Sequence, residues 1–130
     1  MGFDISGINA TTEKGEYFRN NCWWWRRLWD LCVSVGKMND KDTQAGCYNN
    51  GDKIGKKTHD RLLKGLKDAY ANRESPEFVA WVKKGDEEYC KEIGNEIKPD
   101  GTSAPSHPFT WDNVAEFIEF LEGNEGFEVY

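Results

Sequence analysis

The chain has 130 residues, of which 38% are hydrophobic, 31% charged and 14% aromatic. That length supports one core, and the aromatic share excludes a disordered chain, so a single domain over 1–130 is expected. The net charge of -6 is unevenly divided. Residues 85–130 carry twelve acids against Lys91 and Lys98, a net of -10, which leaves eleven acids and fifteen bases, +4, in residues 1–84.

No stretch approaches the roughly 18 apolar residues of a membrane span, and no apolar signal region follows Met1. The expectation is a cytoplasmic protein with no membrane partner. Four cysteines, Cys22, Cys32, Cys47 and Cys90, form no Cys-x-x-Cys clamp, and in a reducing compartment they are expected to be free, buried thiols.

In chain order, Phe3-Asp4-Ile5-Ser6 alternates and predicts a short strand, as does Phe127-Glu128-Val129-Tyr130 at the other end. Two lone short strands need a partner, so the termini are expected to meet in one small sheet. Residues 10–21 are polar and turn-rich, and Asn20 or Asn21 is a natural helix N-cap. Beyond it, helical spacing puts Trp24, Leu28, Leu31 and Val35 on one face, with Trp25 and Cys32 at its flank and Trp23 outside it. Trp24 is therefore expected in the core and Trp23 out of it, with Gly36 as the stop.

Residues 37–57 show no periodicity, and Tyr48-Asn49-Asn50-Gly51 is a turn signal. A second helix is predicted from about Thr58 to near Arg73 on Leu62, Leu63, Leu66, Ala69 and Tyr70, and a third from Ser75-Pro76 to near Gly94, with Gly85 a weak point inside it. Residues 95–109 read as a loop with three prolines. Thr110 then caps a fourth helix, with Phe109 and Val114 spaced as a hydrophobic staple and Trp111, Val114, Phe117, Ile118 and Leu121 on its apolar face. The fold expectation is α+β, mostly helical, with about four helices packed on a small sheet formed by the N- and C-terminal strands.

Catalytic motifs are absent from this reading. His59 and His107, the only histidines, have no metal-ligand spacing, and Gly51-Asp-Lys-Ile-Gly55-Lys-Lys-Thr58 matches only the tail of a phosphate loop. No metal or other cofactor is implied. The segment from Tyr17 to Arg27 stands out, with Arg19, Arg26 and Arg27, two side-chain amides and four tryptophans close by. Guanidinium forks suit phosphate or carboxylate, amides suit base edges and rings suit stacking. The same residues also read as core and cap, and both readings stay open here.

Three functions follow. The first is a non-catalytic binding protein that uses Arg19, Asn20, Asn21, Trp23, Arg26, Tyr48, Asn49 and Asn50 to hold a small anionic, nucleotide-like ligand or a protein partner, in a pocket between the Arg19 and Asn49 turns. The second is an inhibitor whose acidic face, including Glu116, Glu119 and Glu122, mimics nucleic acid before a basic groove. An enzyme acting on nucleotides is the third. Direct nucleic-acid binding by this acidic chain is not expected.

The opening Gly-Phe-Asp-Ile-Ser-Gly-Ile-Asn, the run Glu13-Lys-Gly-Glu-Tyr-Phe-Arg-Asn-Asn21 with its Trp-Trp-Trp-Arg, and the closing His107-Pro-Phe, Asn113-Val-Ala-Glu-Phe117 and Gly126-Phe127 resemble a group of small uncharacterised proteins of bacteriophages and bacteria. Some members of that group look as though they carry a zinc-ribbon-like Cys-x-x-Cys insert ahead of the His-Pro-Phe segment. Residues 95–106 here contain no cysteine, so no zinc is implied. What the resemblance implies is an intracellular, phage-type protein, located in the host cytoplasm if phage-encoded.

Overall fold

The structure is a computed structural model that describes residues 2–48, 50–93 and 109–130. Along the chain lie β1 (Gly2–Gly7), β2 (Tyr17–Asn21), α1 (Cys22–Gly36), α2 (Asp40–Cys47), β3 (Asp52–Ile54), α3 (Lys56–Ala71), α4 (Pro76–Ile93), α5 (Trp111–Glu122) and β4 (Phe127–Val129). The terminal strands do pair: Ile5 lies opposite Val129, antiparallel, at the middle of a sheet ordered β2-β1-β4-β3. The architecture is α+β, with helices on one face of that small sheet. No helix among the described residues is long and apolar enough to cross a membrane.

Both outer strands escape a reading by hydrophobic pattern. β2 is Tyr-Phe-Arg-Asn-Asn, in which only Phe18 is buried, and β3 has three residues with only Ile54 buried. Each is held by backbone pairing to a neighbour whose inward residues, Ile5, Phe127 and Val129, are fully buried.

α1 is the centre of the helical layer. Asn21 caps it by accepting from the Trp24 N–H at 3.0 Å, and its last helical residue is Gly36, although the left-handed φ of 47° belongs to Lys37. Its buried face differs from the one expected. Trp25 is 1% exposed whereas Trp24 is half-buried, because α2, which has no apolar periodicity, docks on the Trp25 side. The indole N–H of Trp25 donates to the Gly46 carbonyl at 2.7 Å and that of Trp29 to the Thr43 carbonyl at 2.9 Å. The two rings stack at 5.4 Å, and Gly46 is where they meet α2: a Cβ there would fall 1.9 Å from the Trp29 ring. α2 itself starts on Asn39, whose side chain accepts from the Asp42 N–H, with Asp40 and Asp42 complementing the helix dipole.

The opposite flank of α1 faces α4, so Trp23 is half-buried edge-on to Tyr89 and Arg27 is only 4% exposed. Arg27 donates to Asp86 at 2.9 Å and its guanidinium lies 5.2 Å from both the Trp81 and Phe109 ring centres. Gly85, the weak point in the sequence pattern, makes room for it: a Cβ there would approach the Arg27 guanidinium to 2.3 Å. Arg27 is therefore a core residue and no part of an exposed patch.

α3 and α5 follow their patterns. Leu62, Leu66 and Ala69 are buried on α3, and Val114, Phe117, Ile118, Phe120 and Leu121 on α5. Thr110 accepts from the Asn113 N–H, and the staple residues Phe109 and Val114 are both buried. Ser75 caps α4 with a long 3.5 Å bond from the Phe78 N–H. Residues 94–108, where the end of the third predicted helix and a loop with three prolines are expected and which include His107, lie outside the described residues.

Residues 8–16 strap the α5–β4 turn by backbone contact. Thr11 N–H donates to the Gly123 carbonyl, and buried Asn124 donates to the carbonyls of Gly15 and Phe120. Gly15 sits so close that a Cβ would lie 2.1 Å from the Gly123 oxygen.

Candidate functional site

The side chains expected to carry function fall into separate places. β2 and β3 are opposite edges of the sheet, three strand spacings or roughly 14 Å apart. Arg19, Asn20 and Asn21 lie on β2, while Tyr48 and Asn50, both exposed, lie beside β3. Asn49 is outside the described residues. Arg26 is exposed on α1, where its charge acts on Cys47 at the end of α2. Trp23 belongs to the α4 side.

Around Arg19, Asn20 and Asn21 the surface opens into a groove of about 410 Å³, completed by Trp24 and by Thr110, Asp112, Asn113 and Glu116 at the start of α5. Its second wall comes from residues some 93 positions away in sequence, joined to β2 by a reciprocal amide pair. Asn20 Nδ2 donates to Asn113 Oδ1 at 3.1 Å, and Asn113 Nδ2 returns a bond to Asn20 Oδ1 at 2.9 Å. Each amide keeps one N–H and one lone pair beyond this pair; the spare Asn20 N–H reaches the Arg19 carbonyl at 3.0 Å. Trp24, pushed out of the core by the docking of α2, becomes the aromatic lining.

The groove's charge differs from that of an anion site. Arg19 is bound to Asp4 across the strand pair at 2.9 Å, and Tyr17 donates its hydroxyl to the same carboxylate. Those bonds, Tyr17 first and then the Arg19 charge, hold the Asp4 carboxyl below its usual range. Asp112 and Glu116 form no ion pair among the described residues. The α5 N-terminus already has its cap in Thr110 and an acid, Asp112, in its first turn. Of the three glutamates expected to line an acidic face, Glu119 pairs with Lys14 and Glu122 with Lys67, which leaves Glu116 as the one that opens on the groove.

Neither Cys32 nor Cys47 is an activated nucleophile. Burial drives the Cys32 thiol well above its ordinary pKa. Cys47, exposed rather than buried as expected, is also raised, by partial burial and the nearby Asp30 charge, with Arg26 opposing. Thiolate is the reactive form, so neither is activated. His59 is 3% exposed, with Nε2–H donating to the Leu121 carbonyl at 2.8 Å and Nδ1 2.9 Å from Asp60, and it ties α3 to the end of α5.

Compared with protein-family models, curated proteins and solved structures, the chain matches none.

Proposed function

We propose that this chain is a non-catalytic binding protein and that the groove between β2 and the start of α5 holds a protein partner. The observation that carries the reading is the groove's charge state. Its one arginine is neutralised by Asp4, whereas Asp112 and Glu116 lie open beside the Trp24 ring and the Asn20–Asn113 amides. A nucleotide-like anion would meet two carboxylates there and, among the residues that line the groove, no cation besides the Asp4-paired Arg19, while a polypeptide finds amide donors and acceptors, an aromatic wall and acidic anchors for its own basic side chains. On the resemblance of the chain's ends to small bacteriophage proteins, the partner is a host protein.

Site-specific photo-crosslinking in cells tests this. A photoreactive phenylalanine at Asp112 should yield a discrete protein adduct that Glu116→Lys removes, and the same group at exposed Lys57 on α3 should not. Absence of that adduct, together with a nucleotide-sized mass held by the purified chain in native mass spectrometry, would overturn the reading in favour of a small anion.

A further inference from the structure

β2 is an outer strand, and its hydrogen-bond pattern fixes which backbone groups it leaves open. Gly7 N–H donates to the Glu16 carbonyl, while Asp4 exchanges both backbone bonds with Tyr130 on the other side of β1. In an antiparallel ladder, opposed residues alternate between bonded and unbonded pairs. With Ile5 opposite Phe18 and Asp4 opposite Arg19, the Phe18 and Asn20 backbones turn toward β1, and those of Tyr17 and Arg19 turn outward. Neither outward N–H has an acceptor among the described residues, and the outward Tyr17 carbonyl has no donor among them. The Arg19 carbonyl alone is occupied, by its neighbour Asn20. The open edge thus offers donor, acceptor and donor in sequence, running directly into the groove that Asp112 and Glu116 line.

Resting on the binding reading above, we infer that the partner segment is an extended, basic peptide that adds to the outer edge of β2 as a fifth strand. Its alternate side chains fall on two faces. Those on the inward face, the side of Asn20, reach Asp112 and Glu116 and select lysine or arginine. Those on the outward face lie beside Tyr17, which is 54% exposed. The net charge of -6 favours the same sign of partner. A second strand edge, on β3, is only three residues long and has Lys53 between its ends, so it carries no comparable acidic groove.

The experiment uses the intact chain and a blocked hexapeptide that alternates valine and lysine, followed by amide NMR. Saturable shifts should appear at Tyr17 and Arg19, with slowed exchange of those two amide protons. Affinity should fall by about tenfold or more in Asp112→Lys/Glu116→Lys, in the peptide with glutamate for lysine, and in the peptide N-methylated at alternate residues. Equal binding of the glutamate peptide, or no slowing of the Tyr17 and Arg19 amides at millimolar peptide, overturns the inference. Shifts confined to Trp24, Asn113 and Glu116 sink the added strand and leave a groove-bound partner standing. No shift on either side, with no crosslinked adduct from Asp112, removes both.

Discussion

Replacing Gly46 with alanine is the substitution on which the docking of α2 most depends. Taken alone, α2 should gain from the change, since alanine is favoured over glycine in a helix by about 1 kcal/mol. Tertiary packing reverses the sign: the new methyl would lie 1.9–2.4 Å from ring atoms of Trp29, a side chain only 2% exposed and stacked on Trp25. Overpacking of a rigid core site costs about 1–3 kcal/mol, and displacing α2 would also strain the Trp25 bond to the Gly46 carbonyl, worth about 1 kcal/mol. The net expectation is a loss of about 1–3 kcal/mol. Urea unfolding followed by tryptophan fluorescence and far-ultraviolet circular dichroism reads it as a lower midpoint at unchanged slope. In a Trp29→Leu background the clash is gone, and Gly46→Ala should become neutral or stabilising. Stabilisation by Gly46→Ala in the unsubstituted chain would refute the account of how α2 and the two tryptophans meet.

Arg27→Met should lose about 2–3 kcal/mol, because it removes the largely buried ion pair to Asp86 and a cation from between two rings. The paired variant with Asp86→Leu should recover part of that loss in a double-mutant cycle. Gly15→Ala forces a methyl onto the Gly123 backbone and should lose at least about 2 kcal/mol, read from the denaturation midpoint. Asp4, whose carboxyl is held below its ordinary value of 3.8, contributes stability that is complete above that value and is lost as pH falls through its lowered folded value. Asp4→Asn should therefore flatten the acid limb of the stability profile, measured by urea unfolding as a function of pH.

Features whose cause is local were legible in the sequence. Thr110 with the Phe109–Val114 staple, the Asn21 cap and the alternation of Phe3–Ser6 and Phe127–Tyr130 all mark elements by chemistry within a few residues, and each stands where expected. α2 was hidden because Asp-Lys-Asp-Thr-Gln-Ala-Gly-Cys has no apolar stripe and is held by a cap and two indole bonds from a distant helix. That omission moved the predicted face of α1 from Trp25 to Trp24. Likewise Arg27 reads as an exposed basic residue until Gly85, Trp81 and Phe109 are brought round it. Half of the groove was visible as the Arg19-Asn20-Asn21 run. Its other half was not, because nothing in Thr110–Glu116 announces that the first turn of α5 will meet the edge of β2.

On the proposed function, the partner seats on the β2 edge and the first turns of α5. Hydrogen–deuterium exchange of the intact chain, alone and in complex with the protein crosslinked through Asp112, tests it most directly. Protection should be confined to residues 17–21 and 110–116. Protection of α3 or of the β3 edge, with those two segments unchanged, would contradict it.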